Sequence, residues 1–203
     1  MIMLTAFQNF LHNCAISFDL PILDWIQANL QSGFMDQFMP FITKFGDHGT
    51  FWMIVAALLF IIPKTRKTGL GMAIAMVIGL LVCNVTLKPL VGRIRPYDLQ
   101  LQEFGITIQL LGERMHDFSF PSGHTIASFE AAVVMLKNSK KLGIPAMILA
   151  VLISFSRLYL YVHYPTDVFT SIILGTLFAL IGDWIAGKIA PKLRIAKKGK
   201  YEA

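Results

Sequence analysis

The chain has 203 residues, 55% of them hydrophobic and only 15% charged, with 16 Phe and a mean hydropathy of +0.62; a soluble domain carries roughly a quarter charged residues. That balance excludes an ordinary water-soluble globule and a disordered chain alike, and the length fits a single domain. A net charge of +6 does not mark a nucleic-acid binder, because in so apolar a chain the positions of the cations say more than their sum.

Residues 1–45 come first, and their apolar residues are interrupted by Gln8, Asn9, His12, Asp19, Asp24, Asp36 and Lys44. Ile22, Leu23, Ile26 and Leu30 recur at helical spacing, as in an amphipathic helix lying in the membrane interface or in a first span. The opening residues lack the basic segment of a cleaved secretory signal, so the N-terminus is expected to be retained. Five apolar runs follow: Gly46 to Ile62, Gly69 to Leu87, Ser122 to Leu136, Leu142 to Val162 and Asp167 to Gly187. Each approaches the ~20 residues a helix needs to cross hydrocarbon. Gly71, Ala75 and Gly79 share one helix face, as do Gly175 and Ala179, which lets helix backbones pack closely. Cys14 and Cys83 read as packing residues, with no disulfide expected. The reading is therefore an all-α polytopic membrane bundle of about six transmembrane helices, a single domain over residues 1–203.

The cations set its orientation. Of 18 Lys and Arg, six lie between Lys188 and Lys200, and others cluster in Lys64 to Lys67 and Lys137 to Lys141. These groups fall at alternate ends of the spans, so the positive-inside rule places all three, including the basic tail 188–203, in the cytoplasm. The links Pro89 to Pro121 and His163 to Thr166 then face outward.

Ionisable groups at membrane depth are costly and are retained for function. Three clusters stand at the outer helix ends: Lys88 with Arg93, Arg95 and Pro96; Pro121-Ser122-Gly123-His124; and Ser156-Arg157 with His163 and Asp167. Lys88, Arg95 and Arg157 together match a dianionic phosphoryl group. Ser122 at a helix cap leaves backbone N–H groups at Gly123 and His124 free for an anion. His163 and Asp167 are four apart, so a carboxylate can orient one ring nitrogen and leave the other as a nucleophile, across a turn because Pro165 lies between them. His124 can protonate a leaving oxygen. Metal ligation is the rival reading of two His and an Asp; three nearby cations disfavour it, so no metal and no cofactor are expected.

Other polar residues carry plainer readings. Arg93 reads as snorkelling to headgroups, His116 and Asp117 as a solvated loop, and His48 beside Asp47 as a residue near the site's mouth. Glu130 is expected to make an interhelical hydrogen bond on a different face from His124, and Asp183 to pair with Lys188. The Phe-rich stretches 34–45 and 51–60 read as packing or lipid-facing surface.

The three clusters resemble the signature of the type 2 phosphatidic acid phosphatase superfamily: Lys-x6-Arg-Pro, Pro-Ser-Gly-His and Ser-Arg-x5-His-x3-Asp. Lys88, Arg95 and Pro96 fit the first, Pro121 to His124 the second, and Ser156, Arg157, His163 and Asp167 the third, in order and over about two-fifths of the chain. The resemblance implies a six-helix core and an active site at the outer surface. It implies that His163 attacks phosphorus to give a phosphohistidine, oriented by Asp167, with His124 as acid and then base. Lys88, Arg95, Ser122, Gly123 and Arg157 would hold the phosphoryl oxygens. The expected substrate is a membrane lipid phosphate or diphosphate, undecaprenyl diphosphate first, with phosphatidylglycerophosphate or phosphatidate as alternatives. A non-hydrolytic lipid-phosphate transporter is the competing class. Haloperoxidases share the motif set but are soluble.

Overall fold

The computed structural model describes residues 2–198, and every regular element within them is helical. Helix α1 (Ile2–Cys14) passes through a π-helical turn (Ala15–Asp19) into α2 (Leu20–Leu30). Helix α3 (Met35–Thr43) leads through a 3-10 stretch (Lys44–Gly49) to α4 (Thr50–Ile61). Helix α5 (Arg66–Gly79) continues as a π-helical segment (Leu80–Leu87) into the short α6 (Lys88–Val91). Then come α7 (Pro96–Phe104), α8 (Gly123–Asn138), α9 (Lys140–Tyr159) and α10 (Pro165–Lys198).

Glycine and proline set the breaks that matter for the site. Gly92 ends α6 at φ +61, and Arg95 is extended (ψ 156) because the residue before a proline is pushed out of the helical region. Pro96 then starts α7 at a position where a missing N–H costs nothing. Pro165 opens α10 in the same way.

Among the described residues four stretches are long and apolar enough to cross a membrane: Met35–Ile61, Arg66–Phe104, Lys140–Tyr159 and Pro165–Pro191. The expected first strong run, Gly46 to Ile62, is thus the second half of a longer stretch that includes α3. The run Ser122 to Leu136 does form a helix, α8, but its 16 residues rise only about 24 Å. Helix α8 is the central post, packed against α5, α9 and α10. Phe129, Ala131, Ala132 and Val134 on it join Trp52, Met72 and Ile153 in the main core. Large apolar side chains such as Leu58, Ile61, Ile148, Val151, Phe169 and Trp184 instead stay exposed on the outside. A soluble protein would bury them; here they present a face for lipid.

Close helix contact comes from the small residues. A Cβ on Gly182 would meet the Gly71 carbonyl oxygen at 2.5 Å and the Ala75 amide nitrogen at 2.9 Å, so α5 and α10 touch backbone to backbone. At one end of the bundle the buried Asp183 pairs with Lys67 at 3.0 Å and Lys137 at 3.1 Å. Lys188, its expected partner, lies over the Trp184 ring instead, 4.1 Å from the centroid. Two of the three basic groups therefore meet at this end, about 20 Å along α8 from His124. The basic tail continues as α10 to Lys198, and the expectation for residues 199–203 lies outside the described residues.

The N-terminal helices brace the opposite end. Asp24 accepts a hydrogen bond from the Tyr161 hydroxyl at 2.5 Å, Asp36 one from the Tyr159 hydroxyl at 2.5 Å, and Gln27 donates to the Tyr159 carbonyl at 2.7 Å. Tyr161 sits at φ +60, a left-handed conformation that is rare for a bulky residue, so the α9–α10 turn is held by these contacts.

Candidate active site

The turn after α9 delivers His163, the break after α6 delivers Arg95, α6 itself carries Lys88, and the start of α8 carries Gly123 and His124. All five line one cavity of about 660 Å³. Three chain segments that are far apart in sequence meet there, while Ser122 and Arg157 are not among the residues that line it.

Arg95 is 2% exposed. Its Nη1 donates to the Val162 carbonyl at 2.7 Å and lies 3.4 Å from His163 Nε2. The Arg157 side chain is buried on α9, where Nη1 donates to Thr43 Oγ1 at 2.5 Å and Nε has no partner among the described residues. Burial, then the charges of Arg95 and Arg157, push the His163 ring well below the usual imidazole range, so it is neutral at pH 7. A neutral imidazole has a free lone pair.

Ser122 occupies the N-cap position of α8, extended at ψ 108, but makes no side-chain cap. Its hydroxyl accepts from Thr125 Oγ1 at 3.1 Å, and its N–H is taken by Ser171 Oγ at 2.8 Å. The first turn of α8 faces the cavity with Gly123 and His124.

Asp167 lies behind His163. Its Oδ2 is 3.5 Å from His163 Nδ1, too long for a hydrogen bond, and Nδ1 has no other partner among the described residues. That oxygen takes the Tyr164 N–H at 3.0 Å and the Ser119 hydroxyl. Oδ1 takes Arg93 Nη1 at 2.5 Å. The two groups therefore stand side by side across the turn, but the hydrogen bond expected between His163 and Asp167 is not formed.

Arg93 does not snorkel. It is 8% exposed and bridges Asp167 to Asp19, whose Oδ2 lies 2.8 Å from Nη2. It also donates to Thr166 Oγ1 and the Leu11 carbonyl and stacks 3.8 Å from the Tyr164 ring centroid. Asp19 is fully buried and accepts the Thr166 N–H at 2.9 Å. A buried Asp–Arg–Asp chain therefore stands behind the histidine, and the paired charges are what make its burial tolerable.

Two loop carboxylates reach the same cavity. Asp117 is half-exposed on its loop, as expected, but it also pairs with Lys88 and, at 2.5 Å, with Arg95 Nη2. Burial works to raise its carboxyl, but Lys88 and Arg95 outweigh that and hold it well below the usual carboxylate range. Asp47 stands 2.8 Å from His124 Nε2. It is aimed there by a turn in which His48 and Gly49 are both left-handed, at φ 52 and φ 67. The preceding Gly46 packs so tightly that a Cβ would meet His124 Cδ2 at 2.6 Å. The sequence places His48 near the mouth and gives Asp47 no role; the Gly46-Asp47-His48-Gly49 turn is the signal that points to it.

Glu130 also departs from expectation. It lines the same cavity as His124, and its Oε1 has no hydrogen-bond partner among the described residues.

The model of the PAP2 superfamily matches residues 66–189. The chain belongs to the PAP2 superfamily. Among curated PAP2-type relatives, undecaprenyl-diphosphatase of Sulfolobus acidocaldarius is 34% identical over 82% of this chain and 77% of that protein. An undecaprenyl-diphosphatase of Bacillus subtilis is 31% identical over 83% of each. The crystal structure of a transmembrane PAP2-type phosphatidylglycerolphosphate phosphatase from Bacillus subtilis superposes with a TM-score of 0.69 at 28% identity, covering 93% of this chain and 96% of that one. The chain is thus a multi-pass membrane hydrolase of phosphate esters or anhydrides. Within the PAP2 match lie Lys88 through Asp167, whereas Asp19 and Asp47 stand outside it.

Proposed function

We propose that this chain hydrolyses a lipid phosphate or diphosphate through a phosphohistidine on His163, with undecaprenyl diphosphate as the leading substrate. The observation that carries the reading is the meeting of Lys88, Arg95, His124 and His163 at the head of one cavity whose remaining walls are largely apolar. A phosphoryl group fits the cations, and a lipid chain fits the walls.

In this mechanism His163 carries its proton on Nδ1, facing Asp167, and attacks phosphorus through Nε2. The P–O bond to the lipid breaks as the N–P bond forms, and His124 gives the leaving oxygen its proton. Water then attacks the phosphohistidine with His124 as base, releasing inorganic phosphate and restoring His163. Lys88, Arg95 and Arg157, with the N–H groups at Gly123 and His124, neutralise charge on the equatorial oxygens, a role that preorganised donors perform best in a dry site. Asp167 orients His163 by accepting the Nδ1 proton once substrate binding shortens the 3.5 Å separation. The basic residues at the other end of the bundle support a site that faces the extracytoplasmic side, with the C-terminus in the cytoplasm.

The names of the two relatives above support undecaprenyl diphosphate, and that of the Bacillus subtilis structural neighbour keeps phosphatidylglycerophosphate as the alternative. Phosphate release from a panel of these lipids in detergent with EDTA present tests the reading. We expect turnover fastest on the prenyl diphosphate and lost in His163→Ala. Binding of these lipids without turnover by the unmodified chain would instead support a transporter.

A further inference from the structure

The cavity that begins at His163 does not stop at the catalytic groups. On α8 its lining passes from Gly123 through Ala127 to Glu130, one stripe at helical spacing, and on α4 and α5 it reaches Phe60, Gly69 and Leu70 near the far end of the bundle. Glu130 is 1% exposed, and its Oε1 has no hydrogen-bond partner among the described residues. The carboxyl is pressed against α5 where Gly79 leaves room: a Cβ there would stand 2.0 Å from Oε1. No cation accompanies it in any ion pair among the described residues. An isolated carboxylate at such depth would be a bare charge in an apolar wall, so the group is the uncharged acid, with one O–H to donate and a carbonyl to accept. An unmet donor in a cavity wall costs free energy unless the occupant supplies an acceptor.

Glu130 lies six residues beyond His124, about 9 Å along the helix. The prenyl chain of undecaprenyl diphosphate offers no hydrogen-bond acceptor at that distance from phosphorus. A glycerolipid phosphate does, because its first ester carbonyl is one glycerol unit below the phosphate. We propose that Glu130 is a specificity-determining residue whose carboxyl donates a hydrogen bond to that ester carbonyl, so that among glycerolipid phosphates the enzyme selects ester-linked over ether-linked chains. This rests on the phosphatase reading above and extends it from the headgroup to the first polar group of the tail.

The test compares two substrates with the same phosphate and chain length, a diacyl glycerol phosphate and its dialkyl ether analogue, using the purified full chain in detergent. For the unmodified protein kcat/KM is expected to be about tenfold higher on the ester lipid, the worth of one hydrogen bond to a group otherwise left unmet. In Glu130→Leu that ratio should fall to about one, whereas Glu130→Gln, which keeps a donor, should preserve most of it. Equal kcat/KM on the two lipids in the unmodified protein overturns the inference and needs no variant to fold. An ester preference that survives Glu130→Leu also overturns it. Absence of phosphate release from every lipid, prenyl diphosphate included, overturns the phosphatase reading itself, and this inference with it.

Discussion

Arg93 and Asp167 form a buried ion pair, Nη1 to Oδ1 at 2.5 Å, while His163 Nδ1 stands 3.5 Å from the same carboxylate. The arginine holds Asp167 more firmly than the histidine does, and Asp19 balances its second nitrogen at 2.8 Å. The carboxylate is thereby fixed before substrate arrives, which is the condition for orienting a nucleophile with little motion at the moment of reaction. Removing either partner leaves an uncompensated buried charge. Arg93→Met, which leaves Asp167 and Asp19 both without their cation, is expected to cost about 3–5 kcal/mol of stability and to lower kcat at nearly constant KM; Asp19→Asn, which leaves the Arg93–Asp167 pair balanced, is expected to cost less. Thermal unfolding and steady-state kinetics check this; a variant with unchanged kcat would separate the pair from catalysis.

Asp117 pairs with both Lys88 and Arg95. In the proposed mechanism an arriving phosphoryl group takes over those cations. Asp117→Asn removes the competing charge at a half-exposed position, so inorganic phosphate and vanadate should inhibit about fivefold more tightly. Weaker inhibition would instead identify Asp117 as a support for the two cations.

Protonation of His163 supplies a third expectation. Its folded-state value lies below the 6.5 of the unfolded side chain, owing to burial and to Arg95 and Arg157. Below pH 6.5 the unfolded chain therefore binds the extra proton, and stability present above that pH is lost as pH falls toward the folded value. For the same reason the acid-side midpoint of kcat/KM, corrected for titration of the lipid phosphate, should lie below pH 6.5. A midpoint at or above 6.5 would mean that the histidine is charged in the resting site.

How much of this was legible beforehand follows from spacing. Lys88, Arg95, His124 and His163 could be gathered because their motifs recur in a fixed order, and their convergence follows from helix ends that alternate across a membrane. The Asp19–Arg93 pair could not, since the two are separated by 74 residues and neither sits at a patterned distance from the other. Asp117 looked like any acidic loop residue, and only the fold shows that its loop returns over α6. Glu130 read as a helix–helix bond because a polar group inside a bundle usually finds a partner; the cavity beside Gly79 is what removes the partner. The count of spans was the least legible feature. Helix α8 is short because it is the central post, buried on most sides, and length alone does not distinguish such a post from a lipid-facing span.

The most direct test is to quench the enzyme during turnover of a lipid labelled in its terminal phosphate, and to map any bound label. We expect an acid-labile, base-stable phosphoryl group on His163, accumulating further in His124→Ala, where the water step lacks its base. Label on another residue, or full turnover by His163→Ala, would contradict the nucleophile and the mechanism built on it.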